Sequence, residues 1–491
     1  MNSPVEVPYK SFIQIERSSH IAIYIQIANQ LMQAIQSGIL LPGTKLPGSR
    51  SLSELLKVHR NTITAVYEEL YAQGWIEIKP NKGAVVMPRL PKVKGRPAES
   101  GGYPATTGFT FATTALLDNP FDYAPCDYVF NDGVPDIRLT QIDDLSRSYS
   151  ANMKRKSNWK KMSYYNQEGS RYFKEQLSRY LRLSRGFKIS INNLLITRSI
   201  EMSLFIISEI ILRQGDYVVV GSPSYFAANM IFQKSSNQVL TIPTDDEGLN
   251  TEALNELCKS HPIRLVYVTP QHHYPTTVSL SARRRMALLE LSKKYGFVIV
   301  EDDHDYDFHY DKQPLLPLAT VDTAGMVIYV SSFGKSLAPG FRTGFVVAPE
   351  NLMVEMRKYL GIIDRQGDVM IEQALGEMIE EGAIQRHMKR SLKIYKERRD
   401  LMSALLEKQL GDWIEFRQPT GGLAFWLSFK KPVNLMRLKK QCEKNNLFIP
   451  RTLLYQNKEV TALRIGFGHL DNDEMEKTIL ILKASLIQLQ Q

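Results

Sequence analysis

Hydrophobic residues recur at helical spacing near the start of the chain. Tyr24, Ile27, Leu31 and Ile35 fall on one face of a helix that Gly38 and then Pro42 end. Ser51-Leu-Ser-Glu54 has the form of a capping box, which predicts a second helix over SLSELLKV. A tight turn at Val58-His59 follows. The spacing then predicts a third helix from about Arg60 to Gln73, burying Ile63, Val66 and Leu70, with Gly74 as its cap. Two short strands come next, predicted at 75–79 and 84–87, on either side of the turn sequence Pro80-Asn-Lys-Gly83. Further on, short apolar runs alternate with helical stretches. The runs predict strands at 194–197, 217–221, 265–269, 297–301, 327–331 and 344–348.

This pattern divides the chain. Residues 88–108, rich in Pro, Gly, Lys and Thr, form an extended linker sequence. The expected organisation is a small domain over 15–87, a linker over 88–119 and a large domain over 120–491. Strands alternating with helices predict an α/β domain with a mostly parallel, doubly wound sheet and a smaller C-terminal α+β part. Ligands bind such sheets at the carboxyl ends of their strands.

Charge sharpens the picture of the small domain. The net charge is +10, and residues 1–100 hold 12 Lys and Arg against 7 Asp and Glu. Six basic residues and no acidic ones lie between Lys79 and Arg96. A localised positive field suits phosphate backbones, although a solvated basic linker has the same composition. Three scattered cysteines, Cys126, Cys258 and Cys442, exclude a disulfide framework or a zinc site. No apolar run approaches the ~20 residues that span a bilayer, and no secretory signal is visible, so a cytoplasmic location is expected.

Helix, tight turn, helix and hairpin wing make the winged helix-turn-helix plan. Its second helix enters the major groove and its first residues reach base edges. Here those residues are Arg60, Asn61, Thr62 and Thr64. Arg50 is placed to clamp a phosphate, and Lys82 and Gly83 stand at the wing tip. A small dimerisation module with a charged face is the alternative reading of the same pattern.

Chemistry-bearing residues of the large domain gather at predicted strand ends. One strand runs into Ser332-Phe-Gly-Lys335, with Arg342 seven residues on. A second ends in Glu301-Asp302-Asp303-His304, and a third in Ser222-Pro-Ser-Tyr225. Each has a plain alternative: a solvated lysine, a divalent-metal site in EDDHDYDFHY, a packed tyrosine. Their joint occurrence in this order is more specific than any one of them.

The segment LPGSRSLSELLKVHRNTITAVYEELYAQGWIEIKPNKGAVV resembles the DNA-binding domain of GntR-type bacterial repressors. The large domain resembles the class I aminotransferases, and the whole chain resembles the MocR branch of GntR regulators, which joins the two. The resemblance implies a type I pyridoxal-phosphate fold. Lys335 then corresponds to the Schiff-base lysine, Asp302 to the partner of the pyridine nitrogen and Tyr225 to the ring-stacking aromatic. Ser332 and Arg342 correspond to phosphate ligands, with Ser199 and Ile200 in the phosphate loop. Arg464, in ALRIGFG, matches the arginine that binds a substrate α-carboxylate. Gly133-Val-Pro-Asp136 and Tyr164-Tyr-Asn-Gln-Glu-Gly169 match motifs near the pocket mouth and the subunit interface. No metal is implied.

The resemblance also implies a function: a DNA-binding transcription regulator that senses an amino acid, an amine or pyridoxal phosphate. It implies a head-to-tail homodimer on a double-stranded operator, cytoplasmic and located at the nucleoid when bound. The alternative is an active aminotransferase with a DNA-binding appendage. Several positions depart from the family pattern. His59 stands where Ser or Thr caps the recognition helix. In the loop Thr197-Arg-Ser-Ile-Glu201, Ser199 replaces a Gly and Glu201 a Gln. His304 replaces a Tyr, and Pro275-Thr-Thr277 lacks its final Gly. Weaker pyridoxal-phosphate binding follows as an expectation. So does a pH dependence from His304, whose charge is expected to vary near neutrality.

Overall fold

The computed structural model describes residues 8–19, 21–79, 83–88, 104–117, 122–163, 169–236, 238–311, 314–365 and 367–490. The chain divides into two compact units, Met1–Ala112 and Thr113–Gln491.

In the first unit the helices Ile23–Gln36, Ser49–Leu56 and Arg60–Ala72 pack around Ile27, Leu31, Leu52, Ile63, Val66 and Leu70, all fully buried. Strands Ile76–Lys79 and Gly83–Val86 pair antiparallel as the wing. Two local features differ from expectation. The second helix begins at Ser49, with Gly48 at its cap and no side-chain cap, so Ser51 and Glu54 lie inside it and the expected capping box does not form. Tyr67 reaches across to the Pro47 carbonyl at 2.6 Å and pins that earlier start. A short helix, Tyr9–Phe12, also adds Tyr9 to the core, and it is too short for a periodic signal.

The second unit is built on an eight-stranded sheet. Named by first residue, the strand order is Leu194, Gly344, Val327, Val298, Ile263, Tyr217, Gln238, Gly248. The run from Val327 through Val298, Ile263 and Tyr217 to Gln238 is parallel, and Gly344 is antiparallel to both its neighbours. Central strands read as continuous apolar runs because helices cover both faces. Val218–Val220 and Val298–Val300 are examples. The strand Gln238–Asp245 lay outside the prediction. Its first half does not alternate in burial, Val239 and Leu240 both being half-buried, and it contains Pro243, which weakens a strand signal.

The C-terminal part carries a four-stranded antiparallel sheet, Ile414–Phe416, Ala424–Phe429, Thr461–Gly466 and Leu454–Gln456 in spatial order. Helices Ala383–Leu410, Leu435–Lys444 and Asn472–Gln488 share its core. Among the described residues no helix is long and apolar enough to cross a membrane.

Asp136 ties this part to the segment that precedes the large sheet. Its buried carboxylate accepts from Arg398 at 2.8 Å and from Arg138 at 2.9 Å. Arg398 is itself buried. Removing one partner of such a pair leaves an uncompensated buried charge. Asp136→Ala is therefore expected to cost about 3–5 kcal/mol of stability, measured by denaturant unfolding. A loss below about 1 kcal/mol would show that the pair contributes little net energy.

Candidate functional site

Three parallel strands deliver their last residues to one place. The strand Val298–Asp302 brings Asp302, Val327–Ser332 brings Ser332, and Tyr217–Ser222 leads to Tyr225. The register pairs Val330 with Asp302, which sets the loop carrying Lys335 beside the acidic strand end. A cavity of about 190 Å³ results. Lys335, Asp302, His304, Tyr225, Ser199, Ile200, Ser332 and Arg342, all named from the sequence, line it together. Asp132, Glu201 and Tyr274 also contribute.

Behind the lining residues Lys335, His304 and Asp302 runs a chain of charged groups. Lys335 Nζ donates to Asp305 Oδ1 at 3.1 Å. Asp305 Oδ2 lies 3.4 Å from His304 Nε2, an ion pair without good hydrogen-bond geometry. His304 Nδ1 lies 3.2 Å from Asp302 Oδ1, and Tyr267 donates its hydroxyl to Asp302 Oδ2 at 2.6 Å. Burial and Lys335 oppose a charge on His304, but Asp305 and Asp302 outweigh them and raise it to about 9. His304 is thus held charged through neutrality, which corrects the expectation that its charge varies there. Burial alone would push the Asp305 carboxyl up, yet Lys335 and His304 hold it well below the usual carboxylate range.

One wall is the start of the helix Ile200–Ile211. Ser199 caps it, its hydroxyl accepting from Met202 N at 3.2 Å. The first-turn amides of a helix lack intrahelical acceptors and face an anion with positive potential. Glu201 sits in this turn, and its carboxylate accepts from the Tyr225 hydroxyl at 2.8 Å. Tyr274 packs edge-on against Tyr225, with ring centroids 4.9 Å apart.

Arg464 is not among the lining residues. It is 1% exposed and lies over the Tyr274 ring. It donates to the carbonyls of Asp132 at 3.1 Å and Pro275 at 2.9 Å. Thr277, where the family pattern has glycine, adopts φ +64°, a left-handed conformation unusual for a β-branched residue. Behind the cavity, Arg185 bonds Tyr329, Ser331 and Asp307, and Ser336 donates to Asp307 at 2.6 Å. This buried network fastens the Lys335 loop to the acidic segment.

In the first unit, Arg60, Asn61 and Thr64 are exposed at the start of the helix Arg60–Ala72, and Thr62 is half-buried. His59 caps that helix, Nδ1 accepting from Asn61 N at 3.2 Å, so the histidine does the work of the usual Ser or Thr. Arg60 Nε reaches Ser49 Oγ at 3.4 Å, which steadies it toward the preceding helix. Arg50 and Gly83 are exposed. Lys82 and residues 164–168 lie outside the described residues.

The family model for class I and II aminotransferases matches residues 134–480, and that for the gntR family of bacterial regulatory proteins matches residues 23–86. The chain belongs to the aminotransferase class I and II family, joined to a GntR domain in the MocR arrangement. It is 24% identical to the probable rhizopine catabolism regulatory protein MocR of Rhizobium meliloti, over 97% of this chain and 96% of that protein. It is 25% identical to the uncharacterized HTH-type transcriptional regulator YisV of Bacillus subtilis, over 95% and 96%. The kynurenine aminotransferase of Pyrococcus horikoshii superposes with a TM-score of 0.67 at 26% identity, covering 73% of this chain and 90% of that one.

Within this site the acidic run from Glu301 to Asp307 is the segment most open to misreading. Glu301 accepts from the backbone amides of Leu318 and Ala319, and Asp303 from Tyr329. Among the described residues no group of three such side chains is arranged to hold a metal. Asp305, Tyr267 and Tyr274 were missed by sequence reasoning. Asp305 hides within the acidic run, and Tyr267 lies inside an apolar strand.

The raised His304 value has a consequence for stability. Its folded-state value, about 9, lies above the ordinary 6.5. The stabilisation is fully present below pH 6.5 and is lost as the pH rises through 9. Melting temperatures should fall over that window, and His304→Gln should fall less steeply. Equal slopes in the two proteins would show that the imidazole is not held charged.

Proposed function

We propose that the protein is a DNA-binding transcription regulator that reads an amino acid, an amine or pyridoxal phosphate through a pyridoxal-phosphate pocket. The observation that carries this reading is the single cavity that gathers Lys335, Asp302, Tyr225 and the start of the helix Ile200–Ile211. The same chain exposes Arg60 and Asn61 at the start of a recognition helix.

The donor set fits the cofactor. Lys335 supplies the amine for its aldehyde, and Asp302 the carboxylate for its pyridine nitrogen. Tyr225 offers a ring face. Ser199, Ile200, Ser332 and Arg342 surround a place for the phosphate. His304 Nε2, buried without a well-aligned acceptor, is a donor for the ring oxygen. When bound, pyridoxal phosphate supplies an electron sink and a visible absorption band. Arg464 takes an effector carboxylate once the carbonyls of Asp132 and Pro275 release it.

An effector changes DNA binding only through different affinities for two conformers of the protein. A head-to-tail homodimer presents two recognition helices to paired half-sites of an operator. The protein then works in the cytoplasm, at the nucleoid when bound to DNA. The aminotransferase fold also supports a second reading, an active aminotransferase with a DNA-binding appendage, and steady turnover with a keto-acid acceptor would favour it.

Adding pyridoxal phosphate should produce a visible band that borohydride fixes onto Lys335. Lys335→Ala should abolish it, and a normal band in that variant would overturn the assignment. For DNA, Arg60→Ala should weaken specific binding by about 1–3 kcal/mol through a lost base contact, measured by titration of operator against random duplex. Lys82→Ala should weaken both duplexes alike and reduce the salt slope. Deletion of residues 1–90 without loss of DNA binding would place the reader elsewhere.

A further inference from the structure

The Lys335 ammonium is not free in the cavity. Its hydrogen bond is to Asp305, which is 1% exposed and three residues beyond Asp302. Asp305 belongs to no donor set needed to hold a pyridine ring, a phosphate or a carboxylate. Its two oxygens instead face two cations, Lys335 on one side and His304 on the other. The imidazole of His304 continues the chain to Asp302. Two carboxylates and two cations therefore alternate along one buried line.

We propose that Asp305 is a positioning residue that parks Lys335. It holds the ammonium against the buried segment behind the cavity lining, and capture of an aldehyde has to break that pair. This inference rests on the function proposed above. Linking the lysine to an aldehyde uses the amine without its third proton. The nitrogen gives that proton to solvent and adds to the aldehyde carbon. Water then leaves with the aldehyde oxygen and the two remaining amine hydrogens. Asp305 therefore acts before the bond forms, by keeping the nitrogen paired and placed.

The geometry explains why a carboxylate stands here. A half-buried ammonium with no partner is costly, because it gives up part of its water without gaining a counter-charge. Asp302 already accepts from Tyr267 and His304, and the Lys335 ammonium is paired with Asp305 instead. Arg185 and Ser336 hold neighbouring Asp307, so the segment that carries Asp305 cannot drift from the lysine loop. His272, from the loop after the strand Ile263–Val268, is kept neutral by burial, at about 3. It therefore adds no competing cation beside Asp305.

The test uses the full-length protein in two measurements. The first needs no cofactor: Lys335 is labelled with acetic anhydride at pH 7 and the modified fraction is mapped by mass spectrometry. Asp305→Asn should label Lys335 faster by about tenfold, the scale of one charge-assisted hydrogen bond. Asp305→Glu, which restores the carboxylate, should label at close to the wild-type rate. The second follows the visible band after mixing with pyridoxal phosphate, where Asp305→Asn should capture faster by a similar factor. Equal thermal melting of the two variants ensures that labelling reports the pair and not unfolding. If Asp305→Asn melts much lower, comparison of Asp305→Glu with wild type decides: a large labelling difference at equal stability overturns the parking role. Unchanged labelling in Asp305→Asn overturns it outright. No band in the wild type, with the labelling difference intact, overturns the cofactor reading and leaves the parked lysine standing.

Discussion

A buried carboxylate must find a cation or a donor, and the site depends on how this requirement is met at the end of one strand. From Glu301 to Asp307 the chain carries five acidic residues in seven positions. In solution such a run would repel itself. The pleat sends Glu301 and Asp302 to opposite faces, and the turn beyond the strand spreads Asp303, Asp305 and Asp307. Glu301 and Asp303 turn away from the cavity and are met by backbone amides and by Tyr329. Burial pushes them up, to about 8 and about 6. Asp302 turns into the cavity, and Asp305 and Asp307 find Lys335 and Arg185. The parallel register between Val330 and Asp302 makes this possible, and together with the Arg185 and Ser336 bonds to Asp307 it sets Lys335 beside those carboxylates.

That solution also shows why the acidic run was ambiguous in the sequence. One-dimensional spacing presents a cluster of ligands suited to a divalent ion. The sheet turns it into separate, individually partnered groups. Lys335, Asp302 and Tyr225 were legible because each lies at or just beyond the end of an apolar, β-branched strand, where such folds bind ligands. Asp132 was not, because it follows no predicted strand, although the adjacent motif Gly133-Val-Pro-Asp136 was placed near the pocket mouth. The orientation of Arg464 was not legible either. Its position was marked by ALRIGFG, but its partners are backbone carbonyls, which carry no sequence signal.

The small domain makes the complementary point. Its helices were visible from the period of Ile27, Leu31, Ile63, Val66 and Leu70, since burial of one stripe dictates that period. The helix starts were harder to place. A capping box at Ser51 and an earlier start after Pro47-Gly48 compete for the same turn. The earlier one wins in a structure where Tyr67 holds the Pro47 carbonyl. His59 shows the reverse: an unusual residue type fills an ordinary role, because Nδ1 sits where a hydroxyl would accept the Asn61 amide.

Glu201 raises the question of which charge governs an anion arriving at this helix start. A unit pair at ~6 Å with an effective dielectric of ~20 repels by roughly 3 kcal/mol, enough to weaken phosphate binding markedly. The carboxylate is not isolated, however. Burial pushes the Tyr225 hydroxyl well above its ordinary range, so it stays protonated and remains a donor to Glu201. Against one negative charge stand about half a positive charge from the helix terminus and a full one on Arg342. The balance is positive by about half a charge, where a neutral residue at 201 would leave about one and a half. Attraction survives in sign and is reduced in size. The hydrogen bond further ties the carboxylate to Tyr225, the aromatic proposed above to face the cofactor ring. An anion that pushed Glu201 aside would therefore also move that ring, so in the proposed cofactor pocket phosphate affinity and ring stacking are coupled through this hydrogen bond.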